Sequence, residues 1–246
     1  MIALALASVR TLVTFVVVSG YVLTAGPPGI AIALAFGWVT PLYWLSYIGI
    51  CIGLALAGVR TTAVGTEHVR RERPAVYCVN HASHLEPPII VKHLRPAFPR
   101  LSGIYKKELR KVPVLGKVWE LGGFVPIDRR DRAQSVQAIA LAAERIREGR
   151  SLIVFPEGTR SRDGALQPFK KGAFVLAIAA QAPVVPVAII GTQQSMRRGS
   201  RLIWPADVRV CFGEPIPTVG LTYDDRDQLM ANVRDRIGAM LSQGGA

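Results

Sequence analysis

The stretch AVYCVNHASHLEPP, Ala75 to Pro88, decides the fold. Its first half reads as a buried strand from Ala75 to Asn80, rich in apolar and β-favouring side chains. His81 then stands at the strand's carboxyl end, where α/β folds commonly place reacting groups. Glu86 follows five residues later. Pro87 biases Glu86 away from helical angles, while a proline suits the first turn of a helix, so Glu86 falls at a strand-to-helix turn. From there it can fold back on His81. A carboxylate bonded to Nδ1–H fixes the imidazole tautomer and leaves Nε2 free to remove a proton from an alcohol. The bland alternative is a helix-capping Glu86 beside a satisfied buried histidine. The chain has no G-x-S-x-G, so no serine-hydrolase elbow is expected. Cys78, His81 and His84 lack a fourth ligand and a usual zinc spacing, and no metal is expected.

A second stretch, FPEGTRS from Phe155 to Ser161, leaves the predicted strand Ser151–Phe155 at its carboxyl end. Gly158 permits close backbone approach, and Thr159 and Ser161 offer hydroxyls. Arg160 offers a planar fork matched to phosphate oxygens. Glu157 can hold Arg160 or bond a substrate hydroxyl. Read alone, the same loop is also compatible with a surface turn carrying a solvated ion pair.

Working outward, apolar runs of strand and helix length alternate beyond Arg60, which predicts an α/β domain with a mixed sheet flanked by helices. Further strands are expected at Leu101–Tyr105, Phe124–Ile127, Val184–Ile190 and Val208–Phe212. Helices are expected over Arg132–Glu148, over Gly172–Ala180, and from Tyr223-Asp224-Asp225 to about Leu241. The predicted division is a hydrophobic anchor over 1–59 and a catalytic domain over 60–246.

The anchor is predicted from charge. Thr11 to Val59 contains no Asp, Glu, Lys or Arg, and a membrane is the simplest solvent for such a stretch. Two helices are expected, about Ile2–Thr24 and Gly29–Val59, joined by a turn at Ala25-Gly26-Pro27-Pro28, with Pro41 kinking or splitting the second. Arg10 and Arg60 at the outer ends would then share one side, consistent with a cytoplasmic (inner) membrane and a catalytic domain facing the cytosol. A transmembrane hairpin and a one-leaflet insertion satisfy this pattern equally. A cleavable signal peptide fits poorly, because no basic residue precedes the first apolar run.

Residues 60–246 hold 29 Lys or Arg against all 17 acids, a net +12. Anionic lipid, a phosphorylated substrate, an acidic carrier protein or nucleic acid would each be attracted. Nothing resembles a nucleic-acid stacking platform or reading motif, and no nucleic-acid partner is expected. Cys51, Cys78 and Cys211 suggest no disulfide framework and fit a reducing setting.

The motifs acquire a specific reading when taken in order: NHASHLE (80–86), GGFVPIDR (122–129), FPEGTRS (155–161) and VPVAI (185–189). In that order they resemble the four motifs of the glycerophospholipid acyltransferases, specifically the PlsC type of 1-acylglycerol-3-phosphate acyltransferase. The segments YKKEL (105–109) and PVLG (113–116) are similar to the region between that family's first two motifs. The resemblance spans about Arg60 to Ile190. It implies transfer of an acyl chain from acyl-CoA or acyl carrier protein to the free hydroxyl of a lysophospholipid, with His81 as general base oriented by Glu86 and no acyl-enzyme. It implies that Arg129 and Arg160 hold the glycerol phosphate, with Lys106 a further candidate, that Glu157, Gly158 and Thr159 shape that pocket, and that Pro186 serves the acyl-donor side. No cofactor is implied, and the partners are membrane lipids, the lysophospholipid and the thioester donor.

The chain departs from the family where its first motif ends in Glu86 instead of Asp. An active variant, an altered specificity and a catalytically silent relative all remain open. The leading expectation is phosphatidic acid synthesis from 1-acylglycerol-3-phosphate. The alternatives are a sister enzyme acting on another lysophospholipid, lyso-aminolipid or glycolipid, and a non-catalytic membrane lipid-binding protein.

Overall fold

Seven strands form one sheet in the order β1-β7-β6-β2-β5-β3-β4. The computed structural model describes residues 1–69, 72–128, 130–196 and 199–244. Its strands are β1 (Val59–Val64), β2 (Val76–Val79), β3 (Leu101–Lys106), β4 (Val125–Ile127), β5 (Ser151–Val154), β6 (Val184–Ile190) and β7 (Ala206–Phe212). Strands β6, β2, β5, β3 and β4 run parallel to one another, β7 runs antiparallel to β6, and β1 runs parallel to β7. The sheet is therefore mixed, as expected.

The helices are α1 (Ile2–Phe36), α2 (Thr40–Ala57), α3 (Glu86–His93), α4 (Leu115–Leu121), α5 (Arg132–Arg147), α6 (Gly172–Ala180), α7 (Thr192–Ser195) and α8 (Arg226–Gln243). Side chains alternate across the strands with period two, and each face of the sheet is covered. Tyr77, Val79, Val187 and Ile189 pack with Ile89, Ile90 and Leu94 of α3 and with Tyr43, Leu54 and Ala57 of α2. On the other face Val76, Cys78, Leu152 and Ala188 pack with Ala142 and Ile146 of α5, Phe174 and Leu176 of α6, and Val233 and Ile237 of α8. Strands buried on both faces explain the near-continuous apolar runs in β2, β5 and β6.

The N-terminal turn differs from the expected one. Residues 25–28 lie inside α1, with Pro27 and Pro28 within the helix, and the chain reverses at Gly37, whose left-handed φ of 66° closes α1. Proline's fixed φ is helical, so the pair removes two amide donors without forcing a turn. Pro41 then occupies the first turn of α2 and begins that helix instead of splitting it. Strand β1 overlaps the end of the predicted second apolar segment, and its inside-outside burial alternation marks a half-covered edge.

Gly26 has a packing role. A Cβ placed there would lie 2.2 Å from Cγ1 of Val114. Val114 itself has φ 63° and ψ −58°, with Leu115 N–H donating to Pro113 O at 2.7 Å. That is a γ-turn, a strained conformation for a β-branched residue, and it brings the valine against α1. We expect Gly26→Ala to destabilise the protein by about 1–3 kcal/mol, read as a lower thermal midpoint in detergent. Adding Val114→Ala, which deletes the obstructing methyl, should recover most of that loss. An unchanged midpoint for Gly26→Ala would contradict the packing described.

Candidate functional site

Five parallel strands put their carboxyl ends along one rim of the sheet, the usual place for a ligand in an open α/β fold. In sheet order the rim receives Gly191-Thr192 after β6, His81 after β2, the 155–161 loop after β5, Lys106 at the end of β3 and Asp128 after β4. At the usual strand spacing, β3 lies about 10 Å from β2 across the rim. The motifs are scattered in sequence and gathered by topology.

His81 and Glu86 form the expected pair, with Nδ1 of His81 2.8 Å from Oε2 of Glu86. The Glu86 carboxylate has no solvent exposure. Ala82 N–H lies 2.9 Å from both of its oxygens, and the Thr192 hydroxyl donates to Oε1 at 2.8 Å. Glu86 thus begins α3, with Pro87 and Pro88 in the first turn, and turns back to the strand end. His81 keeps 14 % side-chain exposure. Its ring lies against Phe155 at 4.3 Å between centroids. Asn80, buried beside it, donates to Ile189 O and accepts from Ile189 N–H, which extends the β2–β6 pairing by one side chain.

The 155–161 loop is tied to His81 by its backbone. Ser161 N–H donates to His81 O at 2.7 Å, and His81 N–H donates to Glu157 Oε1. The second Glu157 oxygen accepts Gln167 N–H at 2.9 Å. Glu157 is thus buried and directed at main-chain amides, which differs from the expectation that it holds Arg160 or a substrate hydroxyl. Burial pushes its carboxyl up from 4.5 to about 7, a rise that the two amide bonds partly oppose. Gly158 takes a left-handed φ of 68°, and Thr159 is exposed. Arg160 is half-buried and close enough to His84 to matter electrostatically. Burial, then the charge of Arg160, holds the His84 imidazole below its ordinary value.

Lys106 sits half-exposed on the rim in an ion pair with Glu108 at 3.2 Å. Arg129, expected to grip phosphate, lies outside the described residues, as do Arg197 and Arg198 of the basic stretch after α7; Asp128, directly after β4, is half-buried at that end of the rim. Pro186 pairs with Cys78 inside the sheet and accepts Gly213 N–H at 2.8 Å. Next to it, the register passes from Val187↔Phe212 to Val184↔Ile216, so β7's side carries one extra residue, a bulge. A residue without an N–H fits that interruption. Thr192 and Asn80 were not singled out from sequence. Their only signals were their positions, Asn80 inside NHASHLE and Thr192 just past the last predicted central strand.

The acyltransferase family model matches residues 60–190, which contain the whole rim up to the end of β6. A 1-acyl-sn-glycerol-3-phosphate acyltransferase of Limnanthes douglasii is 37% identical over 179 residues, 72% of this chain and 62% of that protein. The human 1-acyl-sn-glycerol-3-phosphate acyltransferase alpha is 32% identical over 180 residues, 73% of this chain and 62% of that one. The chain therefore spans somewhat less than two thirds of the length of these curated relatives. The crystal structure of the 1-acyl-sn-glycerophosphate (LPA) acyltransferase, PlsC, from Thermotoga maritima superposes with a TM-score of 0.82 at 23% identity, covering 99% of this chain and 98% of that one. That likeness extends the shared fold to the two N-terminal helices. By the family match across its central sheet, this chain belongs to the acyltransferase family.

Proposed function

We propose that this chain acylates the free hydroxyl of 1-acylglycerol-3-phosphate, using acyl-CoA or acyl carrier protein as donor, and so makes phosphatidic acid. The observation that carries the reading is the 2.8 Å contact between His81 Nδ1 and a fully buried Glu86 carboxylate, at a rim whose next loop presents Arg160. The names of the relatives supply the acceptor class.

In this mechanism Nε2 of His81 takes the hydroxyl proton as the acceptor oxygen attacks the thioester carbonyl. A C–O bond forms, the C–S bond breaks, and the leaving thiolate recovers the proton from the imidazolium. The nucleophile is the substrate's own oxygen, so no acyl-enzyme is required. Arg160, Arg129 and Lys106 would neutralise the phosphate from neighbouring strand ends, with Gly158 and Thr159 in the Arg160 loop, and Pro186 would lie toward the donor. Glutamate in place of aspartate is compatible with activity here, because its longer arm begins in the first turn of α3 and still meets Nδ1 at hydrogen-bond distance.

The anchor suits a lipid acceptor. Helices α1 and α2 are long and apolar enough to cross a membrane. Helix α1, 35 residues or about 52 Å long, touches the domain both near its start, where Thr11 Oγ1 accepts Ile203 N–H, and further along, where Gly26 faces Val114. A helix held to the domain at both points lies along it, while Leu12, Phe15, Val16, Leu23 and Trp38 remain exposed. We infer that the hairpin beds in one leaflet, with the rim at the headgroup level on the cytosolic side.

Glu157 links this chemistry to pH. Its folded value of about 7 lies above the ordinary 4.5, so between those values the folded state holds the extra proton. Its contribution to stability therefore falls as pH rises through that window and levels off above it.

Three outcomes are expected. His81→Ala should lower acyl transfer by about 10²- to 10⁴-fold while the protein stays folded and vesicle-bound; near-normal turnover would exclude His81 as base. Arg160→Ala should raise the apparent KM for 1-acylglycerol-3-phosphate by about tenfold or more, and unaltered acceptor kinetics would remove Arg160 from the phosphate site. Glu157→Gln should flatten the pH dependence of the thermal midpoint between about pH 4.5 and 7. Identical slopes in the variant and the parent would rule out Glu157 as the group responsible.

A further inference from the structure

We propose that Thr192 is a positioning residue for acyl transfer: its hydroxyl pins the Glu86 carboxylate oxygen that does not face His81 and so aims the other oxygen at the imidazole. The proposal rests on the acyl-transfer reading and adds to it a third member of the His81–Glu86 relay, supplied from across the sheet.

The two carboxylate oxygens have divided tasks. Oε2 faces Nδ1 of His81 at 2.8 Å, and Oε1 receives the Thr192 hydroxyl at 2.8 Å, with Ala82 N–H placed between them at 2.9 Å from each. A glutamate has one more side-chain torsion than an aspartate, and a rotating carboxylate would carry Oε2 away from the imidazole. Fixing the plane at both oxygens removes that freedom. Glu86 is fully buried and Thr192 is 2% exposed, so water does not replace this hydroxyl.

Thr192 is itself held firmly. It opens α7 directly after Gly191, whose φ is 93° and whose absent Cβ would meet Asp207 O at 2.4 Å. At the other end of α7, the Ser83 hydroxyl donates to Met196 O at 2.8 Å. Ser195 then locks to Trp204, donating from its hydroxyl to Trp204 O at 2.6 Å and accepting Trp204 N–H at 2.9 Å. The His81–Glu86 loop is thus stapled to the end of β6 at two points, Thr192–Glu86 and Ser83–Met196. A helix needed only to continue the chain would not require both.

The expected pH signature follows from charge. The hydroxyl donating to Oε1 stabilises negative charge on the carboxylate, so its removal is read in the acid limb of the kcat profile. Of the neighbouring ionisable groups, His84 on the same loop interacts with both members of the His81–Glu86 pair and Glu157 on the β5 loop with Glu86, while Arg160 acts on His84 and Arg234 of α8 on Glu157. Helix α7 carries no ionisable side chain.

The test compares Thr192→Val, Thr192→Ala and Thr192→Ser with His81→Ala in full-length protein, using lysophosphatidic acid and an acyl thioester in mixed micelles. Thr192→Val is expected to lower kcat by about tenfold, leave the acceptor KM unchanged and move the acid limb of the kcat profile to higher pH. Thr192→Ser should restore kcat to within about twofold of the parent and return the acid limb. Thr192→Ala deletes the same hydroxyl without a methyl to misplace, and gives the same signature should the valine variant fail to fold. An inactive His81→Ala beside a Thr192→Val variant of parental kcat and acid limb would overturn this proposal alone. Equal losses in the Ser, Ala and Val variants with an unmoved acid limb would also overturn it, reducing Thr192 to packing. An active His81→Ala would overturn the acyl-transfer reading and this inference together.

Discussion

A carboxylate with no access to water governs this site. Taking an ion out of solvent costs several kcal/mol unless each oxygen finds a donor, and Glu86 finds its donors in three places: His81, Ala82 and Thr192. The first two belong to its own loop and the third arrives from β6, 106 residues away in the chain. Satisfying one charge therefore requires β2, α3 and β6 to be in register. The pairing of Val79 with Val187, continued by the bonds between Asn80 and Ile189, provides that register directly beneath the imidazole.

The apolar leader and the α/β unit also share a core. Tyr43 of α2 is buried and donates to Gly122 O at 2.9 Å, in the loop that leads into β4. Leu54 and Ala57 pack with Ile89, Ile90 and Leu94 beneath the same sheet face. Helix α2 therefore covers the sheet as the crossover helices do. The exposed apolar face of the N-terminal helices and the rim are joined through packed side chains, so the geometry at His81 is fixed relative to that face. On the proposed reading, that fixed relation would set how deep the hydroxyl of a membrane-embedded acceptor lies.

The sequence made the fold class legible because β2, β5 and β6 are buried on both faces and so read as short continuous apolar runs between turns. Strand β6 was expected at the residues where it is found, Val184–Ile190, and α6 likewise at Gly172–Ala180. Strand β1 was hidden because it continues an apolar helix and alternates in burial at a sheet edge. The Pro27-Pro28 pair misled because proline signals a turn by default, whereas a helix that packs along its length can retain it. At the site, His81 and Glu86 were legible from local spacing, five residues apart with prolines behind. Glu157 was visible as a motif residue but its direction was not, since whether a carboxylate faces substrate or backbone is decided by what the neighbouring strand supplies. Thr192 left no local pattern, because its partner is reached only through the sheet.

Strand β1 adds a consequence for biosynthesis. It follows α2 immediately and, among the described strands, pairs with β7 alone, so Arg60 meets Asp207 at a sequence separation of 147. On the ribosome, both apolar helices and β1 emerge long before β7 exists to close the edge, and contacts of such separation form late. The two apolar helices and β1 are therefore made while the sheet partner of β1 is still untranslated. Of the described strands, the last to be made thus fastens the first.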